Sequence, residues 1–256
     1  MTAFELAVQD RAGIAVATRV RPDRMELCAA LSTGGLTPSA GLVRAAAAGD
    51  VPAHVLVRPR EGGFGYDPDD VGVILADVRA ALAAGAAGVV VGGTVPDGEG
   101  GLRVDDGLMR RVVDAAADVS GGAAEVTFHR AFDVVADRRA ALEELVALGV
   151  TRVLTSGGAS RAADALPELR SLVAHAAGRI EIQAGGGVDA TNAAAVVATG
   201  VDAVHASAKS VVVEQVPVAL GSGVAAGRVE RESTDEAVAA AVRDLVRAAG
   251  PGGVVA

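Results

Sequence analysis

Apolar residues along the chain come in two alternating rhythms. Short runs rich in Val, Leu and Ile lie at residues 4–8, 24–29, 53–59, 88–93, 125–130, 151–156, 179–185 and 202–208, with the length of buried parallel strands. Between them, longer amphipathic, alanine-rich stretches predict helices at 39–49, 67–85, 105–118, 136–148, 160–177 and 190–199, with a last one at 234–249. Ser39 after Pro38, the pair Asp67-Pro68, Asp105, Ser160 and Asp189 stand where helices begin. Gly49, Gly85, Gly149, Gly178 and Gly200 follow the helical patterns where a left-handed closing residue is expected. The first connection, QDRAGIAVATRVRPD, is short and only weakly marked as helical. Eight strand-helix units in one chain, with no linker or low-complexity boundary, predict a single (β/α)8 TIM barrel over residues 1–256. A doubly wound open sheet is the alternative arrangement of the same units.

Composition narrows this picture. Of 256 residues, 51% are apolar and 33 are glycine, so a large core with many tight turns is expected and disorder is not. Aromatics make up only 2% and tryptophan is absent, so the core has to be built from Ala, Val, Leu and Ile. The balance of 23 basic against 32 acidic residues, net charge -9, with no basic run, argues against nucleic acid as a partner. The amino-terminal MTAFELAVQDRAG lacks a basic segment followed by an apolar core, and glycines break every apolar stretch, so neither a signal peptide nor a membrane span is expected. A cytoplasmic location follows as an expectation. The lone cysteine, Cys28, excludes an internal disulfide and limits any thiolate metal site to one sulfur per chain.

In a barrel of this kind chemistry is placed on the loops that follow the strands. Those loops read STGGLTPS, RPREGGFGYD, GGTVPDG, HRAFD, SGGAS, GGGVD and SAKS, rich in glycine and hydroxyl groups. Strand alternation places Glu5 with Ala7, Glu26 with Cys28, His54 with Arg58, Thr127 with His129 and His205 with Ser207. Buried charges need partners, so Glu5, Glu26 and Arg58 are expected to form one ionic group, with Arg58 also available to an anionic substrate. His129 and His205 stand at strand ends and are the histidines placed for acid-base work, with Asp133 near enough to orient His129 or to pair with Arg130. Glu5, Glu26, Arg58, His129, Arg130, Asp133 and His205 thus form the candidate catalytic set. Ser156, Gly157, Gly158, Gly185, Gly186, Gly187, Ser207 and Lys209, on the loops after strands six to eight, are the candidate cradle for a small-molecule anion. A metal site would draw on Cys28, His129 and His205, with Glu26 as an additional oxygen ligand, a set suited to Cu(I) but matching no local ligand motif.

The ordered set RMELC, STGGLTPS, VLVRPR, VTFHRAFD, RVLTSGG, AGGGV and HASA resembles the CutC family, whose members are labelled copper homeostasis proteins, from the first strand to about residue 210. The resemblance implies one (β/α)8 barrel, a cytoplasmic homo-oligomer and a role tied to copper. Glu5, Glu26, Arg58, His129, Arg130, Asp133, Ser156 and His205 fall at matching positions. The chain also departs from the family pattern. Its first strand reads Glu5-Leu6-Ala7 where the family usually has a cysteine third, and Gly63 stands where an aspartate is expected. One of the two cysteines that would pair on Cu(I) is therefore missing.

Overall fold

A computed structural model of the chain describes residues 1–218 and 227–249. Eight parallel strands close on themselves: β1 (Ala3–Val8), β2 (Arg24–Leu27), β3 (Ala53–Leu56), β4 (Gly88–Val91), β5 (Glu125–Phe128), β6 (Arg152–Thr155), β7 (Glu181–Ala184) and β8 (Ala203–Ala206). Each pairs with its sequence neighbours, and β1 pairs with β8 through Glu5 opposite His205, which completes the barrel. The helices α1 (Arg11–Val20), α2 (Ala40–Ala47), α3 (Pro68–Ala83), α4 (Asp106–Ser120), α5 (Arg138–Ala147), α6 (Leu166–Ala176), α7 (Ala193–Val197) and α8 (Glu236–Ala249) follow the strands in turn. The fold is therefore a single (β/α)8 TIM barrel. No helix among the described residues is long and apolar enough to cross a membrane.

Local chemistry explains most element boundaries. Asp10, Ser39, Asp67, Asp105 and Asp137 each accept a backbone N–H in the first turn of α1 to α5, which satisfies amides that have no partner within the helix. The connection after β1 is thus a full helix, capped by an aspartate that its sequence marks only faintly. Ser160 and Asp189 do not cap. A 3-10 turn at Ala162–Ala165 precedes α6, and Asp189 closes a turn with Thr191 and Asn192 before α7. The fifth strand ends at Phe128, and Arg130–Val134 form a 3-10 turn with His129 at its head.

Two hairpins interrupt the plain alternation. Thr94–Pro96 pairs with Leu102–Val104 after β4, and a longer ribbon, Lys209–Val216 against Gly227–Thr234, stands between β8 and α8. Neither was foreseen, because the first lies in a glycine-rich loop and the second mixes valines with charges on both faces.

The barrel is apolar on its outside and polar within. Phe4, Leu6, Val8, Met25, Leu27, Val55, Val89, Val91, Val126, Phe128, Val153, Ile182 and Val204 point out to the helices and are buried there in the main core. The alternate positions point inward and carry Glu5, Arg24, Glu26, His54, Thr127, Arg152 and Gln183, all buried. Arg152, 1% exposed, reaches Glu125 at 2.7 Å, Glu181 at 2.6 Å and the Thr127 hydroxyl at 3.1 Å, filling the bottom of the barrel with an ionic plug. A small apolar layer of Cys28, Leu56 and Val90 lies above it.

Candidate active site

A cavity of about 620 Å³ opens at the carboxyl ends of the strands, lined by residues that include Glu26, Arg58, Phe64, His129, Arg130, Asp133 and His205. Its floor rests on Glu5, which is 1% exposed and held on all sides. Arg24 Nε donates to one carboxylate oxygen at 2.7 Å, while Gln183 Nε2 and His205 Nδ1 meet the other, the latter at 2.7 Å. Burial opposes the Glu5 charge, but the His205 hydrogen bond and the Arg24 guanidinium outweigh it and hold the carboxyl well below the usual range.

Glu26 behaves oppositely. It lines the cavity, and unlike Glu5 it takes no arginine partner among the described residues. Burial, reinforced by the neighbouring Glu5 charge and opposed by His205 and Arg24, pushes its carboxyl up to about 7. His205 is raised in turn: burial disfavours its cation, but Glu26, the Glu5 hydrogen bond and the Glu5 charge prevail. Donor atoms of Glu5, Glu26 and His205 lie within 4.8 Å of one another. Glu26 and His205 thus both hold a proton more tightly than usual, beside the Glu5–Arg24 ion pair.

The remaining candidates separate into distinct roles. Arg58 does not join Glu5 and Glu26. Its guanidinium donates to the carbonyls of Thr33, Gly35 and Gly62 and stacks over the Phe64 ring at 5.3 Å, so it ties the loops after β2 and β3 together. The partner of Glu5 is Arg24, which the same two-residue alternation that paired Glu26 with Cys28 would have found, since Arg24 stands two before Glu26. Gln183 and Arg152 were missed likewise, because they begin or fill strands rather than end them, while His54, placed on the inward face by alternation, is buried there.

Asp133 gathers the loop after β6. It accepts from the Thr155 hydroxyl at 2.6 Å, the Ser156 amide at 3.0 Å, the Ser156 hydroxyl at 2.9 Å and the Gly158 amide at 3.2 Å, and it pairs with Arg130 Nε at 2.7 Å. The Gly157 amide donates to Thr155. The Ser156–Gly158 segment is thus no open anion cradle, since its donors are spent within the protein. Gly185 continues the sheet, donating to the Thr155 carbonyl, and a Cβ there would lie 2.7 Å from Leu154. Lys209 is paired with Glu232 at 2.6 Å. The free donors are elsewhere: Gly186, Gly187 and Ser207 line the cavity beside Arg130, and among the described residues the amides of Gly186 and Gly187 have no protein acceptor.

The residues do not fit Cu(I). Cys28 is fully buried in its apolar layer, its Sγ contacts the Val8 carbonyl at 3.6 Å, and burial drives the thiol far above its ordinary range, against the thiolate that copper needs. Ala7 supplies no second sulfur. Among the described residues, the group with metal-ligand spacing is Glu5, Glu26 and His205 rather than Cys28, His129 and His205, and there the Arg24 guanidinium already balances Glu5.

Fold and cavity together define a TIM-barrel protein with a polar cavity, lined by Glu26 and His205, at the mouth of its barrel. The chain belongs to the CutC family, whose model matches residues 2–210. It is 39% identical over 253 residues to a CutC family protein of Agrobacterium fabrum, covering 98% of this chain and 96% of that one. A CutC family protein of Sinorhizobium medicae is 44% identical over 190 residues, 74% of each chain. The crystal structure of a protein from Streptococcus agalactiae that carries the name copper homeostasis protein CutC superposes with a TM-score of 0.73 at 28% identity, covering 81% of this chain and 99% of that one.

Proposed function

We propose that the protein is a TIM-barrel enzyme of the lyase or isomerase type that acts on a small anionic metabolite in the cavity above β1, β2 and β8. One observation carries this reading: a buried carboxyl, Glu26, lines the cavity with donor atoms within 4.8 Å of those of His205 and Glu5 and with no arginine partner among the described residues, and burial pushes it up to about 7. A buried, unpaired carboxyl costs stability, and such groups cluster where proton transfer is the task. Glu5 and Arg24 hold His205 in place, so Glu26 and His205 serve as the acid-base pair. Arg130 at the rim, together with the Gly186 and Gly187 amides, supplies the donors for the anion.

We further place this activity in the cytoplasm, where the single buried thiol would stay reduced, and in a homo-oligomer, for which the exposed Val211 and Val213 of the long ribbon offer an apolar strip. A role in copper handling, the part named for the Streptococcus relative, finds no support in the donor set. Thermal-shift screening against anionic metabolites, with inorganic phosphate as the minimal probe, tests the enzyme reading. Arg130→Ala is expected to weaken binding by about tenfold or more. Glu26→Gln should retain binding and lose turnover. A screen with no anionic ligand, or a Glu26→Gln variant of full activity, would remove this reading.

A further inference from the structure

His129 is at the centre of the cavity wall yet outside the Glu26–His205 pair. The imidazole is 5% exposed, and its Nδ1 accepts the backbone N–H of Ala131 at 3.1 Å. An accepting Nδ1 carries no proton, so the proton of the neutral ring sits on Nε2. That Nε2 has no hydrogen-bond partner, although the ring lines the cavity. A buried donor without an acceptor destabilises the fold, which is tolerated where a ligand supplies the acceptor.

The surroundings keep the ring neutral and fixed. Burial and the Arg58 guanidinium, only partly offset by Asp133, push its affinity for a second proton down to about 3. The ring packs against Phe64 with centroids 4.8 Å apart, and it backs onto Gly92, where a Cβ would come within 2.5 Å of Nδ1. A ring so placed cannot serve as a base around neutral pH. It can only donate, from one atom, in one direction.

We propose that the Nε2–H of His129 donates to a carbonyl oxygen of the substrate, so that the metabolite is an enolisable aldehyde or ketone bearing an anionic group. This rests on the acid-base reading of Glu26. In the step, the Glu26 carboxylate takes the hydrogen from the carbon beside the carbonyl. The C–H electron pair becomes the C=C bond, the carbonyl π pair moves onto oxygen, and that oxygen is held by the Nε2–H bond. Return of the proton from Glu26 to the same carbon completes an exchange; where that carbon carries a hydroxyl, the hydroxyl proton passes to the enolate oxygen and the Glu26 proton to the former carbonyl carbon, an isomerisation, and neither course needs an oxidant or reductant. A neutral imidazole suits this role because its acidity is closer to that of an enol than an imidazolium's would be.

Two measurements decide it. The first is ¹⁵N NMR of the histidine rings in the wild-type protein: neutral His129 with its proton on Nε2 from pH 6 to 8 is expected, and a cationic ring or an Nδ1–H tautomer overturns the proposal. The second is hydrogen exchange in D2O, followed by ¹H NMR, of pyruvate, 2-oxoglutarate, glycolaldehyde phosphate and dihydroxyacetone phosphate. At least one probe should exchange faster than in buffer. His129→Asn keeps an acceptor for the Ala131 amide but shortens the donor, and it should lower that exchange by about a hundredfold or more while Tm is held. Exchange that is lost in Glu26→Gln but kept in His129→Asn overturns the role of His129 and leaves the enzyme reading intact. Binding of these probes without exchange overturns the carbonyl class alone, and absence of both overturns the two readings together.

Discussion

Glu26 and Glu5 lie on neighbouring strands, share most of the same neighbours and are driven in opposite directions, which ties activity and stability to pH in a defined way. As a base Glu26 must be ionised, so turnover is expected to rise through about pH 7 and to level above it, a profile that Glu26→Gln abolishes. The stability consequence has the reverse sign. The folded carboxyl binds its proton more tightly than the unfolded one, so the folded state loses stability as pH climbs from the ordinary carboxylate range through 7. Glu26→Gln should therefore melt higher than wild type at pH 8, by on the order of 1 to 3 kcal/mol, with the gap closing toward pH 5 in thermal melts. Arg24→Met tests the other carboxylate. It strands Glu5 in the barrel with only Gln183 and His205, and a loss of about 3 to 5 kcal/mol in denaturant unfolding at pH 7 is expected.

At the level of elements, the loops after β5 and β6 act as one piece because Asp133 joins them. Asp133→Ala leaves the amides of Ser156 and Gly158 without their acceptor and frees Arg130. Faster hydrogen exchange at those two amides and weaker anion binding should appear together. Gly92→Ala acts on the same wall from β4, since the added methyl would collide with the His129 ring. The expected cost is about 1 to 3 kcal/mol, with a larger proportional loss of turnover than of substrate binding. Much of this element level was legible in the sequence. Strand count, strand order along the chain and the end of the barrel at which the cavity opens follow from periodicity and loop composition, because those depend on local burial. The contacts that define Asp133 were not legible, since glycine-rich loops advertise free amides whether or not a carboxylate already fills them. Nor was the partner of Glu5: attention to strand ends favoured Arg58, while Arg24, at the start of its strand, lies deeper and closer.

For the whole molecule, the distribution of charge matters more than its sum. The chain carries a net charge of -9, yet the cavity is lined by the Arg130 guanidinium and by the Gly186 and Gly187 backbone. Copper titration of the purified protein is expected to show no stoichiometric Cu(I) site, and Cys28→Ser should leave the titration unchanged. Binding that is lost in that variant would contradict the account of the buried thiol.

The polar interior also bears on how such a barrel assembles. The amino-terminal strands bring the Glu5–Arg24 pair, and the carboxyl-terminal ones bring Arg152 with Glu125 and Glu181. Each half of the chain thus supplies the arginine for its own ion pairs, with Glu26 left outside them. The contacts that cross between the halves fall to an amide, Gln183, and to two imidazoles, His54 and His205. Neither half-barrel therefore needs an arginine from the other, and a seam slipped by one residue would turn the aliphatic outer rows inward and lose all three links at once. The register of closure is selected by an amide and two imidazoles rather than by an arginine.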